Sequence, residues 1–268
     1  MTRIRLERQG AVGRIILARP DRGNAIDREM TSDLFAACAQ FERDGQVRVV
    51  QLTGDGDDFC VGADMQELSN AVGATSESNR EHSEAFGRVL LALRALMKPV
   101  VCSVHGRALG AGAGLATACD LVLAREDAEL GYPEVKFGSV PAAMMTLLRR
   151  TVGEKHAADL VLTGRVINAE EAERIGLVSR ALPAATYDQD VMAALAGMAR
   201  SPSTSLALTK WLLYKLDALS FDDGVAAGVV TDVEARATAE FQEGVRRLAE
   251  QEGAGGGTGE PPARGDSP

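Results

Sequence analysis

The stretch from Lys98 to Pro141 limits the fold more than any other. It reads KPVVCSVHGRALGAGAGLATACDLVLAREDAELGYPEVKFGSVP. The run Val100 to Val104 is apolar and short, which predicts a strand. It ends at His105-Gly106, and the glycine-rich turn Gly110-Ala111-Gly112-Ala113-Gly114 then opens a small-residue helix at about Leu115. A second apolar run, Leu121 to Ala124, precedes Gly131-Tyr132-Pro133-Glu134. A strand therefore feeds a glycine turn at a helix N-terminus, and a lone carboxylate follows. Such an order suits the holding of negative charge beside an acid or base.

The 268 residues allow a sizeable core in one large domain or two small ones. Net charge is −9, and no run of Lys and Arg is long enough to make a nucleic-acid face, so any anionic ligand needs a local basic patch. Cys38, Cys60, Cys102 and Cys119 form no CxxC pair, and three lie in apolar surroundings. They read as buried free thiols in a reducing compartment. The three histidines, His82, His105 and His156, have no metal-ligand spacing, so no metal site is expected. Polar Thr2-Arg3 after Met1 argues against a signal peptide, and no apolar run is long enough to span a membrane. A cytoplasmic protein is expected.

Read in order, the chain begins with a two-strand hairpin around Gln9-Gly10, using Ile4 to Glu7 and Val12 to Ala18. Arg19 to Asn24 is a loop. Asp27 caps a helix to about Arg43, with Ile26, Met30, Leu34, Ala37 and Phe41 on one face. Val47 to Thr53 is a buried strand. Cys60-Val61-Gly62-Ala63-Asp64 turns into a short helix through Leu68. Ser69 to Asn79 reads as a polar loop, and a helix from about Glu81 ends at Met97 before Lys98-Pro99. Beyond the central stretch, Ala142 to Arg150, Glu154 to Leu162 and Ala169 to Ile175 read as helices, and Val178 to Leu182 as a short strand. From Ala184 the pattern is helical only. The domain plan is a core over 1–184, a helical region over 185–251 and a disordered tail over 252–268. Arg264-Gly265-Asp266 in that tail looks like an adhesion tripeptide and reads as chance.

A glycine-rich helix start brings orphan N–H donors close to a ligand. A phosphate or a developing oxyanion suits it. The dinucleotide pattern fails, because Leu115 stands where the third glycine belongs. Neither GxxxxGK[ST] nor GxSxG occurs. The oxyanion reading needs a second donor and a base. Gly62-Ala63-Asp64 offers a second glycine-preceded turn into a helix, and Glu134 offers the base. A carboxylate in an apolar cleft holds its proton more tightly, which suits proton transfer at carbon.

The pieces Asn24-Ala25-Ile26, Phe59-Cys60-Val61-Gly62-Ala63-Asp64, Lys98-Pro99-Val100, Gly106-Arg107-Ala108-Leu109-Gly110, Ala118-Cys119-Asp120, Pro133-Glu134, Leu162-Thr163-Gly164 and Gly176-Leu177-Val178 stand in one order. In that order and spacing, from Arg14 to about Ala249, the chain resembles the crotonase, or enoyl-CoA hydratase/isomerase, superfamily. The resemblance implies an α/β fold: a ββα spiral core with C-terminal helices that build homotrimers, often paired into hexamers. It implies an acyl-CoA thioester substrate and no separate cofactor. The thioester carbonyl would be held by the backbone N–H groups of Ala63 and Ala111, with Gly110 as the neighbouring candidate. Alanine replaces the usual glycine at 111, but a backbone donor survives that change. Glu134 would be the acid/base. Arg22, Asn24, Ala25, Ile26, Val61, Asp64, Met65, Gly114, Pro133 and Met145 would contact substrate.

One departure bears on the reaction. Typical hydratases carry two glutamates, one in the helix after the glycine turn and one after the later proline. Here the first position is Gly114 and the second is Glu134. Two carboxylates divide the work of hydration, whereas one shuttles a proton between two carbons. Double-bond isomerisation, or hydration through Glu134 alone, of a short or branched enoyl-CoA (a methylglutaconyl-CoA-like group, for instance) is the expectation. Met144 and Met145 would narrow the acyl pocket. The alternatives are a crotonase-fold decarboxylase or thioester hydrolase, and a catalytically weak acyl-CoA-binding subunit. Around the site, Asp120 and His105 read as turn residues and Asp64 chiefly as a helix cap. His82 or Glu84 would be a second acid only as an outside candidate. Arg19 and Arg22 stand where relatives contact CoA, with Arg246 and Arg247 a weaker version of the same reading.

Overall fold

The computed structural model of the chain describes residues 3–255. It separates into two compact units that divide between Ser203 and Thr204. The first unit opens with the expected hairpin, β1 (Ile4–Gln9) and β2 (Val12–Leu17), paired antiparallel. Parallel strands then extend the sheet: β3 (Val49–Gly54), β4 (Val100–Val104), β6 (Leu121–Arg125) and β9 (Arg180–Leu182), in the order β1-β2-β3-β4-β6-β9. Parallel strands need covered faces, and both are covered here. Val49, Val101 and Leu123 alternate onto one face and meet Tyr187, Val191 and Leu195 of α7 (Tyr187–Ala199). Val50, Leu52, Val100, Cys102 and Val104 alternate onto the other, into the main core.

That main core is closed by helices whose buried residues recur at helical spacing. In α1 (Arg28–Arg43), Met30, Leu34, Ala37, Cys38 and Phe41 point inward, and the Asp27 side chain accepts from the Met30 N–H, as a cap should. The helices α2 (Met65–Ala71) and α3 (Ser76–Ala95) shorten the polar loop expected over 69–79, because Thr75 caps α3 five residues before the expected start. The helix α4 (Ala111–Ala118) begins at Ala111 rather than near Leu115, and residues 112–118 are all buried. The predicted pair over 142–162 is α5 (Ala142–Thr163), interrupted at Gly153 by non-helical backbone. The short α6 (Ala169–Arg174) is capped by Asn168.

A second sheet was not expected. It has strands of three residues each, β5 (Arg107–Leu109), β7 (Glu129–Gly131) and β8 (Val166–Asn168), too short for any periodicity to show. All four cysteines are buried and none is in a disulfide.

The second unit holds α8 (Ser203–Lys215) from Thr204 onward, α9 (Phe221–Arg236) and α10 (Ala239–Gly255). The helix α10 takes in the first four residues of the expected tail; 256–268, including Arg264-Gly265-Asp266, lie outside the described residues. No helix among the described residues is long and apolar enough to cross a membrane.

Candidate active site

Two glycine turns of the first unit are laced together by backbone. The Cys60 N–H donates to Arg107 O, and the Leu109 N–H donates back to Cys60 O, each at 2.9 Å. On the other side of the first turn, Ile26 N–H donates to Gly62 O at 2.8 Å and Asp64 N–H to Ile26 O at 2.9 Å. In that parallel bridge Ala63 sits between the bonded neighbours, so its own N–H points away from Ile26. Gly62 has φ 107°, and a Cβ there would lie 2.9 Å from Leu109 O and 3.7 Å from the Ala111 N. Glycine at 62 thus lets the two turns approach with both N–H groups at the junction.

The second turn is fixed to the strand that carries the acid. Gly110 N–H donates to Gly131 O at 2.9 Å. This removes Gly110 from the donors: its N–H is already spent on β7. Its contribution is the missing side chain. Gly110 has φ 52°, and a Cβ there would stand 2.8 Å from Glu134 Oε1. The N–H groups of Ala63 and Ala111 have no protein acceptor among the described residues. Ala111 opens α4, so its donor is one of the orphans of a helix start and carries the positive end of the helix dipole.

Glu134 follows Pro133 in a short 3-10 turn, Pro133–Phe137. Upstream, the Tyr132 hydroxyl is 2.7 Å from Thr117 Oγ1, which donates to Ala113 O at 2.8 Å. That buried contact ties the approach to Glu134 onto α4. Glu134 is only 8% exposed, and its Oε2 is buried without a hydrogen-bond partner. Burial pushes its carboxyl above the usual glutamate range, against a smaller opposing pull from a backbone N–H. A carboxylate so placed accepts a proton readily when a substrate offers one.

These groups open onto a cleft of about 270 Å³ with mostly apolar walls. Of the expected substrate contacts, Ile26, Val61, Met65 and Pro133 line it beside Ala63, Gly110, Ala111 and Glu134. The others do not. Asn24 is buried and bonds the Arg19 N–H and the carbonyls of Asp55 and Asp58, so it holds a loop together. Ala25 is buried outside the cleft wall, and Arg22 is exposed in a 3-10 turn, Pro20–Arg22. Asp64 caps α2 through the Gln66 N–H and pairs with Arg19 at 2.9 Å. Arg19 in turn is buried, bonded also to Ala25 O and Asp27, and is spent on structure rather than on a ligand phosphate. Gly114 is buried in α4, and the methionine on the cleft wall is Met144 rather than Met145. Asp120 Oδ2 accepts from Val100 N–H and His105 contacts Gly56 O, so both hold the fold together, but through partners 20 and 49 positions away rather than within the expected turns. Arg246 and Arg247 pair with Glu243 of their own helix.

Sequence reasoning did not find Thr31, Leu68, Ser83, Phe86, Phe137, Ser139 and Val140 on the wall. Phe137 and Val140 did carry a signal, being apolar in a short segment just after the acid. His82 lines the cleft and Glu84 does not; Glu134 and His82 are the titratable groups on the wall.

The sequence matches the family model described as enoyl-CoA hydratase/isomerase over residues 7–254. A protein of Thermus thermophilus described as a candidate enoyl-CoA hydratase is 40% identical over 243 residues, covering 91% of this chain and 96% of that protein. A crystal structure of enoyl-CoA hydratase from Mycobacterium smegmatis superposes with a TM-score of 0.89 at 28% identity, covering 93% of this chain and 96% of that one. A Geobacillus kaustophilus structure described as subunit I of such an enzyme gives 0.86 at 33% identity, covering 93% and 95%. The expected mixed α/β spiral fold with its C-terminal helices is thereby shown.

Proposed function

Because the chain belongs to the enoyl-CoA hydratase/isomerase family, we propose that it converts a short or branched enoyl-CoA through an enolate, with Glu134 as the single acid/base. The observation that carries this is the buried, partnerless Glu134 Oε2 in a cleft shared with the unpaired N–H groups of Ala63 and Ala111. The thioester oxygen sits between the two N–H groups. Glu134 takes a proton from the α-carbon, and the bonding pair moves to the thioester oxygen as the enolate forms. The two donors hold that charge where it develops, in a site poor in competing dipoles. In a β,γ-unsaturated substrate the pair is spread to the γ-carbon. Glu134 then returns the proton there, which shifts the double bond and regenerates the carboxylate.

One carboxylate suffices for that cycle, and among the described residues the cleft wall offers no second one. Hydration through the same residue needs Glu134 both to activate water and to deliver the proton. The reaction takes no cofactor beyond the CoA of its substrate. Self-association into trimers or hexamers is part of the same reading. Its support is the apolar exposure of α9, where Phe221, Val225, Val229, Val230 and Val233 are open in the single chain. A reducing, cytoplasmic setting fits four cysteines outside any disulfide.

The test is incubation with crotonyl-CoA, a 3-enoyl-CoA and 3-methylglutaconyl-CoA, with products followed by mass and NMR. An isomer or a water adduct, lost in Glu134→Gln, supports the proposal. Release of free CoA or loss of carbon dioxide points instead to a hydrolase or decarboxylase. Binding without turnover would leave an acyl-CoA carrier.

A further inference from the structure

One residue of the cleft wall, Met144, is interlocked with a glycine that lies behind it. Gly114 lies one turn into α4, its N–H donating to Gly110 O at 2.9 Å. Met144 lies in the first turn of α5, is 6% exposed and lines the cleft. A Cβ built on Gly114 would stand 2.3 Å from Met144 Sδ, 2.4 Å from its Cγ and 3.3 Å from its Cβ. The thioether arm thus lies flat across the place where residue 114 has no side chain.

From this contact we infer that Gly114 and Met144 act as one size-setting unit, with Met144 the specificity-determining residue for the length of the acyl group. The inference rests on the reading that the cleft takes an acyl-CoA thioester. Its logic is steric. Methionine has three rotatable bonds and fills irregular gaps. With the gap over Gly114 available, its arm lies against α4. Any side chain at 114 removes that gap, and the arm has to swing toward the cleft, the open side of Met144. The chamber then becomes shorter. Shortening residue 144 does the reverse: it frees both the gap and the volume of the arm, and the chamber deepens by a few methylenes. The two positions touch, so their effects cannot add.

The experiment is calorimetric binding of acetyl-, butyryl-, hexanoyl- and octanoyl-CoA to the full chain. Wild type, Gly114→Ala, Met144→Ala and the double variant are compared. Met144→Ala should raise the octanoyl-to-butyryl affinity ratio roughly tenfold, a typical return for a few methylenes gaining room. Gly114→Ala should lower that ratio, and the double variant should lie well away from the sum of the two. Where Met144→Ala fails to fold, Met144→Val keeps most of the packing and should give the same shift in smaller degree. An unchanged ratio in a folded Met144 variant, or strictly additive effects, overturns the inference. If wild type binds none of the four more tightly than free CoA, it is the thioester reading itself that falls, and the inference with it.

Discussion

Two carboxylates, Asp64 and Glu134, stand beside the two glycine turns of one cleft, and both are buried: Asp64 is 5% exposed and Glu134 8%. They have opposite fates. Burial alone would raise the Asp64 carboxyl, but the Gln66 N–H at 2.8 Å and the Arg19 guanidinium at 2.9 Å outweigh it and hold it below the usual range. Burial raises Glu134, and nothing comparable answers it. Partners make the difference: Asp64 has a backbone donor and a guanidinium, whereas Glu134 Oε2 has neither and desolvation dominates. A buried carboxylate whose lone pairs are satisfied is a structural strut; one left unsatisfied retains proton affinity that a substrate can use.

The largest effect should come from removing the unsatisfied member. Glu134→Gln keeps the shape and loses the base, and kcat should fall by about 10²–10⁴ with the fold intact. Comparable retention of turnover would erase the distinction drawn between the two acids.

Next comes the donor side. Ala111→Pro deletes one N–H at the first position of α4, where proline is tolerated. The rate should drop by about 10²–10³, the usual cost of one oxyanion donor. Circular dichroism should show an unchanged helix content, and a rate within a few-fold of wild type would take Ala111 out of the site.

Asp64→Asn sharpens the comparison from the other side. Asparagine still caps a helix, so the loss is mainly the charge opposite Arg19, which keeps Asp27. Stability should fall by about 1–3 kcal/mol in denaturant titration, while kcat changes only a few-fold. A collapse of kcat without loss of stability would make Asp64 the functional acid.

The smallest effect is a pair of opposite pH trends. Glu134 is raised in the folded chain, so above the ordinary glutamate value the unfolded chain releases a proton that the folded chain still holds. Stability is therefore lost as pH rises through that window, and Glu134→Gln should gain melting temperature over wild type at neutral pH but not in acid. Asp64 is lowered, so its stabilisation is present above the ordinary aspartate value and is lost as pH falls through its folded value. The deficit of Asp64→Asn should shrink in acid. Parallel trends in the two variants would contradict the assignment of partners.

Much of this was legible in the sequence, and the gaps have physical reasons. The run Val100–Val104 and the cap at Asp27 are local signals, and each appears where expected, whereas most of the expected glycine turn is already helix from Ala111. Glu134 and Ala63 line one cleft, and it was the family resemblance rather than local order that singled them out. What joins them is not local. The bonds that lash Cys60 to β5 and Gly110 to β7 run from turn residues to three-residue strands without a pattern. That pairing is also why Gly110 proved to be a spacer and not a donor. Arg19 and Asp64 could not be sorted into strut or ligand contact from sequence, since their partnership spans 45 positions. Met144 and Met145 are adjacent, and only the register of α5 decides which of them faces the cleft.

The central claim is that Glu134, alone, moves a proton at the α-carbon of a bound thioester. It is tested most directly by NMR of butyryl-CoA incubated with the protein in deuterium oxide, which reads proton removal whatever acyl group the enzyme prefers. The account predicts deuterium at the α-carbon with wild type and Asp64→Asn, and none above background with Glu134→Gln. Exchange that persists at the wild-type rate in Glu134→Gln would contradict it.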